Sequence, residues 1–284
     1  MTNWEFPCTT PVDVRVSTAS GSVTIIAADT QQVTVVVHPT WPDPQAGLGQ
    51  AEGTPDAEGR SDNVRVSFAA GRLEVSEPVR LGLHRRQRDL HLVIGVPQRS
   101  SCTVRTASAD ISCQGELGSL DASSAAGAIT AEAVHGPARL AAMSGQAQIG
   151  YVAGEVTANT ASGDIELGRI ASDVAAKTVS GDIRIAQAQA QASVTARTAS
   201  GRVWVGNMVS GRADVNTVSG DIDVKVAPGT GVYLDLASVT GRMNSELDPS
   251  DQRAGTADLH VTCRTVSGSV YVAKARPGAA DAVA

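Results

Sequence analysis

Aspartates recur behind glycines: Asp164, Asp182 and Asp221 each follow a Ser-Gly pair and precede an isoleucine. Carboxylates at regular spacing suggest two chemistries. Stacked Gly/Asp turns hold calcium in some repeat proteins, and two carboxylates about 5–5.5 Å apart suit retaining glycoside hydrolysis. The series weakens the calcium reading, because the slot behind the glycine runs Asp164, Asp182, Arg202, Asp221, Arg242 and lacks the doubled Gly-Gly-x-Gly-x-Asp phrase. A row of calcium ligands does not accommodate Arg202 and Arg242. The hydrolase reading needs a cleft built from long loops and aromatic platforms for sugar rings. Residues 109–240 leave almost no room for loops, and only Trp204 projects outward there by phase. Capping of turn N–H groups is the favoured role of these aspartates.

The other reactive residues give no converging constellation. Ser162, Ser180, Ser200 and Ser219 repeat at equivalent places, whereas a catalytic serine is unique and has a histidine base. His38, His84, His91, His135 and His260 are scattered. Cys8, Cys102, Cys113 and Cys263 have neither a metal-ligand spacing nor a CxxC pair. Cys102, Cys113 and Cys263 share the phase of Val104, Ile111 and Val261 and read as buried small apolar groups, which leaves Cys8 as the thiol to test for reactivity. Thr160, Thr178, Thr198 and Thr217 form a ladder whose inward phase favours hydroxyls bonding between repeats over ice binding. No catalytic residue, metal site or cofactor site is expected, and the protein is read as a non-enzyme.

Two features could contact a partner. His84-Arg85-Arg86-Gln87-Arg88 is the one dense basic cluster, a solvated loop or a site for an anionic partner in which Arg85, Arg86 and Arg88 would make the contact. Trp204 stands in an outward column with Glu166, Arg184, Asp223 and Tyr271, where an exposed ring could anchor a protein. The net charge of −6 argues against general nucleic-acid binding.

The corner aspartates, serines and threonines and Trp204 sit on one repeated element. The phrase Thr-x-Ser-Gly, then a polar residue and Ile or Val, places its glycine at 21, 127, 145, 163, 181, 201, 220, 241 and 268. Ala109 takes the same slot, and Gly71 fits it too. From Ala109 to Gly181 the interval is 18 residues each time, then 20, 19, 21 and 27. Before each glycine, alternate residues are small or apolar, as in Val174, Ala176 and Thr178. After it come pairs such as Ile183 and Ile185. Period-two alternation of this kind marks strands with one buried face.

Each repeat is therefore strand, glycine corner, strand, and only stacking gives it a core. The expected fold is an all-β, single-stranded β-solenoid of about ten or eleven coils, with 18–21 residues per regular coil. Coils of two strands or of three both satisfy the pattern. The corner glycines are expected to adopt positive φ. A composition of 42% hydrophobic but only 3% aromatic residues fits a thin Val/Ile/Ala core.

Regularity fails at the start. Residues 1–100 are expected to form an irregular N-terminal β cap, with an exposed 39–63 loop and strands at Val64–Val75 and Leu90–Val96. Trp4, Phe6, Trp41 and Phe68 supply its bulk. Residues 101–275 form the regular solenoid and 276–284 a disordered tail. Met1–Pro7 has no basic or apolar segment of a signal peptide, and no apolar run reaches the ~18 residues of a membrane span. A cytoplasmic protein with reduced thiols is expected, a monomer in preference to a filament.

Thr160-Ala161-Ser162-Gly163-Asp164-Ile165 and Thr217-Val218-Ser219-Gly220-Asp221-Ile222, with Gly231-Val232-Tyr233-Leu234-Asp235-Leu236 and Gly241-Arg242-Met243-Asn244-Ser245, resemble the bacterial putative-adhesin family of β-strand repeat proteins. The resemblance spans about residues 10–275 and implies a β-solenoid without catalytic residues. It favours an interaction or scaffold module. A structural solenoid that assembles end to end is the alternative, and a carbohydrate-active β-helix using Asp164 and Asp182 the lower one.

Overall fold

The computed structural model describes residues 2–39, 59–61, 64–77, 89–189, 191–247 and 258–275. Every regular element among them is a β-strand. The chain divides into two compact units, Met1–Gly145 and Gln146–Ala284.

In the second unit the alternation seen in the sequence deals strands to two sheets in turn. Ala147–Val152, Ile165–Ile170, Ile183–Ala188, Val203–Met208 and Ile222–Val226 lie parallel in one sheet. Val156–Thr160, Val174–Lys177, Ala192–Ser200 and Gly211–Ser219 lie parallel in the other. Each repeat thus supplies two strands, one per sheet. The register is the sequence period made physical, since Ile165 lies beside Ile183, Ile183 beside Val203 and Val203 beside Ile222. All four are fully buried. At the turn away from the glycine corner a second buried row runs Val152, Ile170, Ala188, Met208 and Val226. Each buried Val or Ile stabilises by roughly 1.5–3 kcal/mol, so a narrow core suffices when every repeat renews it.

Stacking departs from chain order at the end of this unit. Leu259–Ser267 lies between Gly211–Ser219 and Val232–Thr240, and Val270–Lys274 lies between Ile222–Val226 and Met243–Ser245. Among the described residues of this unit the repeat at 232–245 is therefore outermost, and the following one inserts beneath it. The 27-residue interval from Gly241 to Gly268 contains that return.

The first unit holds the same parallel pairs, such as Asp110–Leu117 with Ile129–Val134 and Ser119–Ser124 with Ala138–Ala142. Beside them are antiparallel strands. Thr2–Pro7 pairs with Gln32–Pro39, which pairs with Leu90–Pro97. In the other sheet Gly59–Ser61 pairs with Val64–Ala69, which pairs with Arg72–Ser76. Phe6 and Phe68, from opposite sheets, stack with centroids 5.1 Å apart, and Trp4 is buried nearby in the same strand as Phe6. Trp41 lies outside the described residues, as do most of the 39–63 loop and the 276–284 tail.

Two expectations need correction. Val64–Val75 is not one strand and Gly71 is not a corner. Ala70 (φ 49°) and Gly71 (φ 73°) make a two-residue hairpin turn, which reverses the chain within its sheet instead of passing it to the other. Nor is positive φ the general reason for the corner glycines. Gly21, Gly220 and Gly268 have it, but Gly181 and Gly201 do not. There the constraint is space: a Cβ on Gly201 would collide with the Gly181 carbonyl oxygen, and one on Gly181 with that of Gly163.

Candidate functional site

The corner aspartates bond to backbone. Asp164 Oδ1 accepts from the Asp182 N–H at 2.8 Å, Asp182 Oδ1 from the Arg202 N–H at 2.9 Å, and Asp221 Oδ1 from the Ser269 N–H at 2.9 Å. They cap the neighbouring repeat's turn, not their own. Arg202 fits the series because only its backbone N–H is used. Among the described residues no cluster of three or more His, Cys, Asp or Glu could hold a metal ion. The ladder threonines likewise serve the stack, since Thr198 Oγ1 donates to the Gly181 carbonyl at 3.3 Å.

Cys102, Cys113 and Cys263 are buried, and Cys8 is half-buried with its thiol 3.1 Å from the Thr10 carbonyl oxygen. Burial pushes Cys113 and Cys263 up to about 12. Cys8 lines a shallow depression of about 320 Å³ with Pro7, Thr9, Thr10, Phe68 and Gly71.

Arg85, Arg86 and Arg88 lie outside the described residues. Trp204 is described, and it occupies the outward column foreseen for it: Glu166, Arg184, Trp204, Asp223 and Tyr271 stand side by side on successive strands. The column is not a set of free groups. Arg184 bridges Glu166 at 3.0 Å and Asp182 at 3.2 Å. The Trp204 ring covers Gly206, where a Cβ would strike it. Lys225 Nζ sits 5.7 Å from the ring centroid. Beside the ring, burial holds the Asp223 carboxyl above the usual carboxylate range, with Lys225 and Arg202 pulling it back.

A second surface was not singled out from the sequence. The x of each Thr-x-Ser-Gly corner is apolar, and in the second unit it points to solvent. Val179, Val218, Val266 and Val239 are 57%, 56%, 49% and 76% exposed. Strand register places Ala199 beside Val218, Val218 beside Val266 and Val266 beside Val239. Two residues earlier on the same outer face stand Lys177, Arg197, Asn216 and Arg264, also side by side. Arg264 reaches Asp235 at 3.4 Å. Among the described residues neither Lys177 nor Arg197 has an ion-pair partner. The signal was available in the sequence: an apolar residue recurs where a tight exposed corner has no packing reason for one.

Among solved structures the chain is similar to a putative cell adhesion protein from Clostridium sporogenes ATCC 15579, at 8% identity over 96% of this chain and 98% of that one, with a TM-score of 0.23. It is also similar to a putative adhesin from Bacteroides fragilis NCTC 9343, at 11% identity over 95% of each chain, with a TM-score of 0.42. No curated protein matches it in sequence. The family model of Toastrack DUF4097, by contrast, matches residues 12–273, nearly the whole chain, and on that ground the protein belongs to the Toastrack DUF4097 family.

Proposed function

We propose that this chain is a non-enzymatic interaction module, a cytoplasmic β-solenoid of about ten or eleven coils. It docks an acidic protein partner along Lys177, Arg197 and the neighbouring valines. The observation that carries this reading is the direct opposition of Lys177 and Arg197 on adjacent strands without a counter-ion. Like charges at opposed positions cost stability, so folding supplies no reason for the pair, whereas an anionic strand laid across it does. The exposed valines alongside supply apolar contact, which anchors such partners more than rim charges do. Arg85, Arg86, Arg88 and Trp204 are further contacts in this reading.

The test is binding of fluorescent peptides that alternate glutamate with apolar residues, measured by anisotropy. Lys177→Glu with Arg197→Glu is expected to abolish binding, and Val218→Ser to weaken it. Arg85→Ser, Arg86→Ser and Arg88→Ser together report whether that cluster contributes. Equal binding by wild type and Lys177→Glu/Arg197→Glu protein refutes the site. A second reading, assembly through the ends of the stack, is favoured by the repeat at 232–245, which has no described strand on its far side.

A further inference from the structure

The outermost strand of the second unit, Val232–Thr240, is a sheet edge with no described strand on its far side. Its inward residues occupy core rows. Leu234 lies beside Val261, and Leu236 beside Cys263. Val261 and Cys263 are fully buried, whereas Leu234 and Leu236 are half-exposed. The core is thus open at this edge. On the outer face Tyr233 is 48% and Val239 76% exposed.

We infer that this edge pairs with the same strand of a second copy, antiparallel and about a two-fold axis through Leu236. The strand's own sequence supports that occupant. A two-fold contact must be self-complementary, and centring on Leu236 pairs the whole strand with itself. Leu236 then meets the partner's Leu236 and Leu234 the partner's Ser238, which extends the core rows. Outside, Tyr233 meets the partner's Val239, an aromatic–β-branched pair of the kind that stabilises sheets. Asp235 meets the partner's Ala237. Moving the centre to Asp235 would oppose two aspartates, which disfavours that register. A head-to-tail contact is less suited, because the opposite edge of the same sheet is the three-residue strand Gly59–Ser61, and so short an edge strand discourages strand addition. The assembly is therefore a closed dimer.

Position 237 tests this register. Within its own chain Ala237 lies beside Arg264, so Ala237→Glu suits the fold and Ala237→Lys does not. Across the two-fold axis the preference reverses, because the partner group is Asp235. Sedimentation velocity over a wide concentration range is expected to show wild-type protein at 58 kDa, twice the chain's 29.0 kDa. Ala237→Glu weakens the dimer by about tenfold, because two such pairs form per dimer, and Ala237→Lys tightens it. Tyr233→Cys with Val239→Cys, in a Cys8→Ser background, gives a covalent dimer on oxidation and nothing larger. A 29.0 kDa species at every concentration with no cross-link overturns the proposal, whether another part of the chain or a different protein covers the edge. A ladder beyond the dimer also overturns it, as does an equal response to Glu and Lys at position 237.

Discussion

Thr178 Oγ1 lies 3.3 Å from the carbonyl oxygen of Gly163, in the neighbouring repeat, and donates to it. The same bond recurs from Thr198 to Gly181, Thr217 to Gly201 and Thr265 to Gly220, at 3.3–3.5 Å. These carbonyls also fill the space that a side chain would need on the glycine stacked against them. Threonine and glycine in the repeated phrase are thus two parts of one device. The glycine lets the corners approach, and the threonine satisfies the carbonyl that the approach buries.

Gly201→Ala is therefore expected to destabilise by more than Thr198→Val. The alanine forces backbone against backbone, an overpacking cost of about 1–3 kcal/mol. The valine keeps the shape of threonine and loses one hydrogen bond, about 1 kcal/mol. Urea unfolding of the two variants ranks them. A Gly201→Ala protein as stable as wild type would mean that the corners are not in contact.

The buried thiols give a signed pH dependence. Cys113 and Cys263 sit near 12 in the folded chain against an ordinary 9.0. Between those values the unfolded chain releases protons that the folded chain keeps. Stability is therefore intact below pH 9 and falls as pH rises toward 12, by about 1.4 kcal/mol per pH unit for each thiol. Cys113→Ala is less stable than wild type at pH 7 because it leaves a cavity, yet its stability falls less steeply above pH 9. At pH 8 a thiol alkylating agent is expected to label Cys8 alone until urea is added. Mass spectrometry counts the labels.

The architecture was legible because one residue period encodes it. Alternation of Val174, Ala176 and Thr178 with polar neighbours fixes which face is buried, and the interval between glycines fixes the register. What escaped has physical causes. Ala70-Gly71 makes a hairpin that the corner phrase does not distinguish, since both need a small residue before an apolar alternation. The order of the last two repeats is invisible because each presents the same inward rows, and either could lie beneath the other. The valine surface has only half its signal in the sequence: Val179, Val218, Val239 and Val266 share one slot, and only exposure gives that slot meaning. Arg197 beside Lys177 follows from the same register, once strands rather than single residues are compared.

The Trp204 neighbourhood yields the last prediction. Asp223 lies beside the ring, and its Oδ1 is buried with no hydrogen-bond partner among the described residues. Burial raises its carboxyl above the usual 3.8, against the pull of Lys225 and Arg202. The folded chain therefore holds this proton to higher pH than the unfolded chain does. As pH rises past the ordinary value, ionised Asp223 becomes a net burden on the fold. Asp223→Asn removes that charge while keeping the shape, so its thermal midpoint at pH 7 is expected to exceed that of wild type. The advantage shrinks as pH falls through the ordinary 3.8, because Asp223 then becomes protonated in the unfolded chain as well as in the folded one. Melting curves at pH 7 and pH 3.5 check both halves of the claim. A lower midpoint for Asp223→Asn at pH 7 would mean that attraction to Lys225 and Arg202 outweighs desolvation.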